Sequence, residues 1–248
     1  MKITKILRPE YISKLIGTVF ILIATYLFFY TSYTNAALAS AFIGVFTILI
    51  VNQPTVDEST AKAGLSSGVK PINELLKDLE VSGKGVAVPP IRNLTESRTY
   101  IPAGELKTLP DLYDDMYIVS GGRGNMGVSL VPMGKTLLDE AKSKMEYDIE
   151  GEGIEASREI MGHLSQGMEL AKSFSLREEE NVKIRITHGK YRGFCENLRS
   201  DSEDICTRTG CPICSAYITA AAEGLSKPLK IVKLEKDDKH IKIDLEEV

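Results

Sequence analysis

The chain has 248 residues, 26% of them charged, a formal net charge of -4 and a pI of about 5.6. That length supports one or two domains whose core needs no disulfide staples. The acidic balance argues against nucleic acid as a partner, because neutralising phosphates requires a basic face. Hydrophobic residues make up an ordinary 43%, but they are unevenly spread.

From Leu15 to Val56 no side chain carries a charge. This stretch divides into LIGTVFILIATYLFFY (15–30), a polar TSYTN break and AALASAFIGVFTILIV (36–51). With uncharged flanks, each half approaches the ~30 Å of a bilayer core at ~1.5 Å per residue, which predicts a transmembrane helical hairpin over residues 1–53. A second apolar run so soon after the first argues against a cleaved signal peptide. Lys2, Lys5, Arg8 and Lys14 precede the first span, and Lys62 and Lys70 follow the second. By the positive-inside rule, both termini and the large C-terminal part are expected in the cytoplasm, with the protein at the cell membrane and the lipid bilayer as a partner. Small residues from Ala36 to Gly44 allow the two helices to approach closely.

TVDESTAKAGLSSGVK reads as a linker over residues 54–70. PINELLKDLEV then places Ile72, Leu75, Leu76 and Leu79 at helical spacing behind Pro71. VAVPPI, RTYIPA and DMYIVSGGRGNMGVSLVP read as short strands between Gly and Pro punctuation. Gly122, Gly124 and Gly127 fit a GxGxxG pattern, but VSLVP after it reads as a strand. A dinucleotide loop needs a helix there, so a β-hairpin turn is the better account. MGKTLLDEAKSKMEY completes a small α+β subdomain over 71–150.

The 151–248 subdomain begins with IEASREIMGHLSQGMELAKSFSL, which predicts one long helix over 154–176. His163 within it reads as part of a helix face. Strand VKIRITH, the cysteine segment, helix PICSAYITAAAEGL and the alternating hairpin LKIVKLEKD–HIKIDLEE follow. The fold class expected is α+β (mixed α/β) behind the hairpin.

All four cysteines, Cys195, Cys206, Cys211 and Cys214, fall within CENLRSDSEDICTRTGCPIC. A CxxC pair is a common half-site for a tetrahedral ion, so the four are read as metal ligands. Zinc suits the Cys-Pro-x-Cys form. An iron-sulfur cluster is the alternative, since Cys206-x4-Cys211-x2-Cys214 matches three plant-type ferredoxin ligands, although the fourth candidate lies upstream. A redox dithiol and unligated cysteines are the other readings. A cytoplasmic setting disfavours a structural disulfide. Pro212 marks a helix start, which sets Cys211 and Cys214 near the positive end of a helix dipole and lowers thiol pKa values there. His188 is a strand-end residue or a substitute ligand. No Ser/His/Asp set, carboxylate pair, HExxH or Walker loop appears, so the sequence supplies no catalytic constellation.

SRTYIPAGEL and MYIVSGGRGNMGVSLVPMGKTLLDE, behind an apolar hairpin, resemble a group of uncharacterised archaeal membrane-anchored proteins of unassigned function. That resemblance implies a location but no activity. GKYRGFC followed by CPICSAYITAAAEGLSKPLKIVKLE resembles the closing part of vinyl-reductase-type domains, which implies a small-molecule-binding or scaffold fold. No late Cys pair follows Leu229, where those domains have one. The function expected is therefore a membrane-anchored domain with a four-cysteine metal site in a binding, sensing or scaffold role, with a protein partner or a homo-oligomer. A membrane-associated iron-sulfur redox protein is the alternative.

Overall fold

The computed structural model describes residues 9–51, 58–120, 126–145, 153–189, 191–201 and 204–248. The chain forms two compact units, Met1–Glu58 and Ser59–Val248.

The first unit is a pair of helices, α1 (Pro9–Tyr30) and α2 (Thr34–Val51). A short break between them turns the chain back, and Thr31 braces it by donating to the Leu27 carbonyl at 2.6 Å. The helices meet through their smallest residues. A Cβ on Gly44 would lie 2.8 Å from the Gly17 carbonyl oxygen, and Ala24 and Ala37 are buried in the same seam. Most large apolar side chains, from Leu15 and Leu22 to Phe42 and Leu49, face outward.

This pair corrects the predicted transmembrane hairpin. Among the described residues no helix is long and apolar enough to cross a membrane. The uncharged part of α1 begins only at Leu15, and α2 has 18 residues, about 27 Å at the usual helical rise against a ~30 Å hydrocarbon core. The flanks counted toward the spans supply no further helix among these residues. The membrane anchor, the cell-membrane location and the cytoplasmic placement of both termini and the larger unit, all derived from those spans, are withdrawn. Lys2, Lys5 and Arg8, on which the orientation rested, lie outside the described residues.

The second unit opens with α3 (Glu58–Ser67), within the segment read as a linker, and α4 (Val69–Asp78). The spacing around Pro71 does form a helix, which buries Val69, Asn73 and Leu76. Then come β1 (Val86–Val88), β2 (Arg98–Pro102), β3 (Ile118–Val119), β4 (Gly127–Leu130), α5 (Lys135–Ser143), α6 (Ile154–Gly162) and β5 (Ala171–Glu178). The chain ends with β6 (Val182–His188), α7 (Arg192–Asp201), α8 (Ile205–Arg208), α9 (Pro212–Leu225), β7 (Leu229–Lys236) and β8 (His240–Glu247).

The eight strands form one sheet in the order β3-β4-β2-β1-β7-β8-β6-β5, with every pair antiparallel. The mixed α/β expectation holds for this unit. β3 and β4 pair as Val119↔Gly127, so a strand does follow the glycine-rich segment, although Gly122 and Gly124 themselves lie outside the described residues.

The long helix expected over 154–176 is a misreading. It ends as α6, passes through one π-helical turn at His163–Gly167, and becomes strand β5. The apolar stripe fits a helix only as far as Ile160, Met161 and Leu164, all buried. Beyond it, AKSFSLRE pairs with β6 along the sheet edge as Phe174↔Ile186 and Leu176↔Ile184. Pairing with a strand overrode a periodicity that extended into it by coincidence.

The main core gathers around α9, whose residues are buried apart from Glu223. Its alanines let α5 and α6 approach, and Ile184, Ile186, Ile241, Ile243 and Leu245 of the sheet join the same cluster. On the opposite face of β1 and β2, Val86, Val88 and Tyr100 pack with Leu94, Leu112 and Val119 in a second, smaller core. Glu223, at the far end of α9 from the cysteines, pairs with Lys142 of α5 and accepts a hydrogen bond from Ser97.

Candidate functional site

The N-terminus of α9 is built by its sequence. Gly210 adopts φ +72, a left-handed conformation that favours glycine. Cys211 then takes an extended conformation as the N-cap, and Pro212 occupies the first turn, where its missing N–H costs nothing. The Cys211 sulfur accepts a hydrogen bond from the Cys214 backbone N–H at 3.4 Å. A sulfur thus does the capping work usually given to a Ser or Asp oxygen.

The other two cysteines arrive on short helices that the sequence reading left as an irregular segment. Cys195 lies on α7, where Phe194 and Leu198 turn into the core. Cys206 lies on α8, which Ile205 anchors with full burial. The Gly85 N–H ties α8 to the edge of β1 by donating to the Thr207 carbonyl at 3.0 Å.

All four sulfur-bearing residues line one small pocket together with Leu234, Lys236 and Ile241. Its free volume is about 10 Å³, roughly the space that one water molecule needs. Cys195, Cys211 and Cys214 are 9%, 1% and 2% exposed, whereas Cys206 is partly exposed. Of the four sequence-predicted site residues, none is left out of the pocket.

The expected closed metal site is not what they form. Among the described residues, no group of three or more His, Cys, Asp or Glu side chains is placed to hold a metal ion. The Cys211 sulfur instead interacts with the thiols of Cys195 and Cys214 and with the Cys214 backbone N–H. The metal-binding reading of the spacing is corrected accordingly. Two thiols one helical turn apart satisfy CxxC geometry equally well when they serve each other.

This arrangement separates the protonation states. The hydrogen bonds from Cys195 and then Cys214, followed by the backbone N–H groups at the helix start, hold the Cys211 thiol well below its ordinary pKa against the effect of burial. Cys214 moves well above its ordinary value, first because it donates to Cys211 and then because it is buried beside that charge. Cys195 is raised for the same two reasons in the same order. The pocket therefore sets a more acidic thiol, Cys211, beside two less acidic ones.

Lys236 is the charged member of the lining, and the sequence reading passed over it. Its ammonium lies 3.5 Å from Glu196, which also takes Arg192 at 2.8 Å. The signal was present in the strand pattern. Leu229 and Ile231 are buried, then the alternation slips at a bulge between Ile231 and Lys233, so that Leu234 pairs with Ile243 and Lys236 with Ile241. Residues opposite one another share a face, and the slip turns Lys236 inward.

The histidines stand apart from this pocket. His163 begins the π-helical turn. His188 is buried at the end of β6, with its ring Nε2 3.3 Å from the Asp237 carbonyl, and is not among the residues lining the thiol pocket.

No curated protein and no solved structure matches the chain. The family described as a domain of unknown function, DUF7982, matches residues 15–245, a span that takes in most of α1, all of α2, the sheet up to Leu245 of β8 and every cysteine, and the chain belongs to that family.

Proposed function

We propose that the Ser59–Val248 unit is a thiol-based sensing module, in which oxidation of the cysteine pocket changes how α7 and α8 sit against the β7–β8 hairpin. The observation that carries this reading is the meeting of four cysteines in one pocket, with the Cys211 sulfur at the N-cap of α9 accepting the Cys214 backbone N–H. A helix-terminal thiolate next to a second thiol is the arrangement that thiol redox chemistry uses. Cys206, partly exposed, puts the pocket near the surface. The likeness of the closing strand-helix-strand segment to vinyl-reductase-type domains also suits a sensing or scaffold role. The readout is conformational, because a bond formed in a dense core shifts the elements packed around it.

The test is a thiol count with parallel metal determination on the full chain purified without oxygen. The expected result is four reactive thiols in the denatured protein, loss of a pair after mild oxidation, full recovery with dithiothreitol, and no stoichiometric metal. Zinc or iron bound in stoichiometric amount, or thiols that survive every oxidant, would overturn the reading.

A further inference from the structure

We infer that the oxidant is a small peroxide and that its product is a disulfide between Cys211 and Cys214. This assignment rests on the sensing reading above and names its substrate class and reacting pair. Three observations carry it. Cys211 and Cys214 are 1% and 2% exposed beside a free volume of about 10 Å³, the scale of a water molecule, which favours a two-oxygen oxidant over a bulky peptide disulfide such as oxidised glutathione. Cys206 is the least buried of the four, so the pocket comes nearest the surface on its side. Cys211 and Cys214 sit one turn apart at the start of α9, close enough for the Cys214 N–H to bond the Cys211 sulfur, whereas Cys195 and Cys206 are carried by separate helices.

The chemistry balances within these groups. The Cys211 thiolate attacks one peroxide oxygen and the O–O bond breaks. The departing hydroxide takes a proton from the Cys195 thiol, which lines the same pocket, and leaves as water. Cys211 is then a sulfenic acid. The Cys214 sulfur attacks the Cys211 sulfur, an S–S bond forms, and the hydroxyl leaves as a second water with the proton from Cys214. Two cysteines lose two electrons in total, hydrogen peroxide becomes two waters, and Cys195 regains its proton from solvent. Lys236, the charged lining residue, stabilises the hydroxide as it leaves and acts as a positioning residue.

The decisive experiment treats the reduced full chain with one equivalent of hydrogen peroxide or of oxidised glutathione, followed by alkylation and peptide mass spectrometry. Peroxide should link Cys211 to Cys214 and leave Cys195 and Cys206 open to alkylation, with oxidised glutathione slower by roughly tenfold or more. In Cys214→Ser the sulfenic acid on Cys211 should persist and react with dimedone. Lys236→Met should slow oxidation and steepen its dependence on pH without moving the disulfide, a change that a packing role alone would not produce. Equal rates for the two oxidants, or first oxidation at Cys206, would overturn the assignment while leaving a thiol sensor in place. Thiols inert to both oxidants would instead defeat the sensing reading itself. The wild-type map needs no variant, so a misfolded substitution does not shield the proposal.

Discussion

The two units use apolar side chains in opposite ways. In α1 and α2 the contact runs through Gly17, Gly44, Ala24 and Ala37, while Phe29 is 73% exposed. In the Ser59–Val248 unit most large apolar residues face inward and Tyr217 is 0% exposed. Apolar content is therefore a poor measure of core. What separates the units is whether a second layer covers the apolar face, and in the larger unit the sheet supplies that layer for α9.

The comparison can be broken most directly by cutting one aromatic side chain from each unit. Tyr217 packs against Phe174 and shares a 2.6 Å hydrogen bond with Ser165. Tyr217→Ala leaves a cavity and an unpaired Ser165, and should destabilise the larger unit by about 3–5 kcal/mol. Phe29→Ala, which removes an exposed ring, should change the chain's unfolding by less than about 0.5 kcal/mol. Urea titration followed by circular dichroism reads both, and comparable losses would refute the distinction between the units. A smaller effect is expected at the helix seam. Gly44→Leu puts a side chain where even a Cβ would lie 2.8 Å from the Gly17 carbonyl oxygen, an overpacking that should cost the helix pair about 1–3 kcal/mol. Spin labels at Thr18 and Thr47 should separate in that variant, while the unfolding midpoint of the larger unit stays in place.

The same contrast shows which parts of the structure the residues announced in advance. Local patterns with matched ends were legible: α9 behind Pro212, and the closing hairpin with Ile241, Ile243 and Leu245 inward. The clustering of the cysteines in sequence was legible too, since all four fall between Cys195 and Cys214, but their meeting in one pocket depends on how α7, α8 and α9 pack. Strand β5 was not, since AKSFSLRE becomes a strand only by pairing with β6 and has little alternation of its own. Nor was the chemistry of the pocket, because CxxC spacing is shared by ion sites and dithiols and only the pairing of the sulfurs distinguishes them. The apolar helices misled for a related reason: hydropathy counts residues, but spanning a bilayer depends on the length of the helix that forms.

The last predicted effect concerns His188, buried at the end of β6, and sharpens the comparison through pH. Burial holds His188 below its ordinary pKa, with Lys236 and Arg192 adding to that effect and the Asp237 carbonyl and Glu196 opposing it. A histidine with a depressed folded pKa binds its proton more readily in the unfolded chain, so stability rises with pH across the interval between the two values. The contribution is therefore complete above about pH 6.5 and is lost as the pH falls below it. At pH 5 the carboxylates with lowered pKa values, Glu196 and Asp237 among them, are still charged, so they do not confound the reading. The urea midpoint of the larger unit should fall between pH 8 and pH 5, and His188→Gln, which can still donate to the Asp237 carbonyl, should reduce that fall. A midpoint with the same pH dependence in both proteins would show that the end of β6 tolerates the charge, and that the larger unit is less closed there than its buried histidine implies.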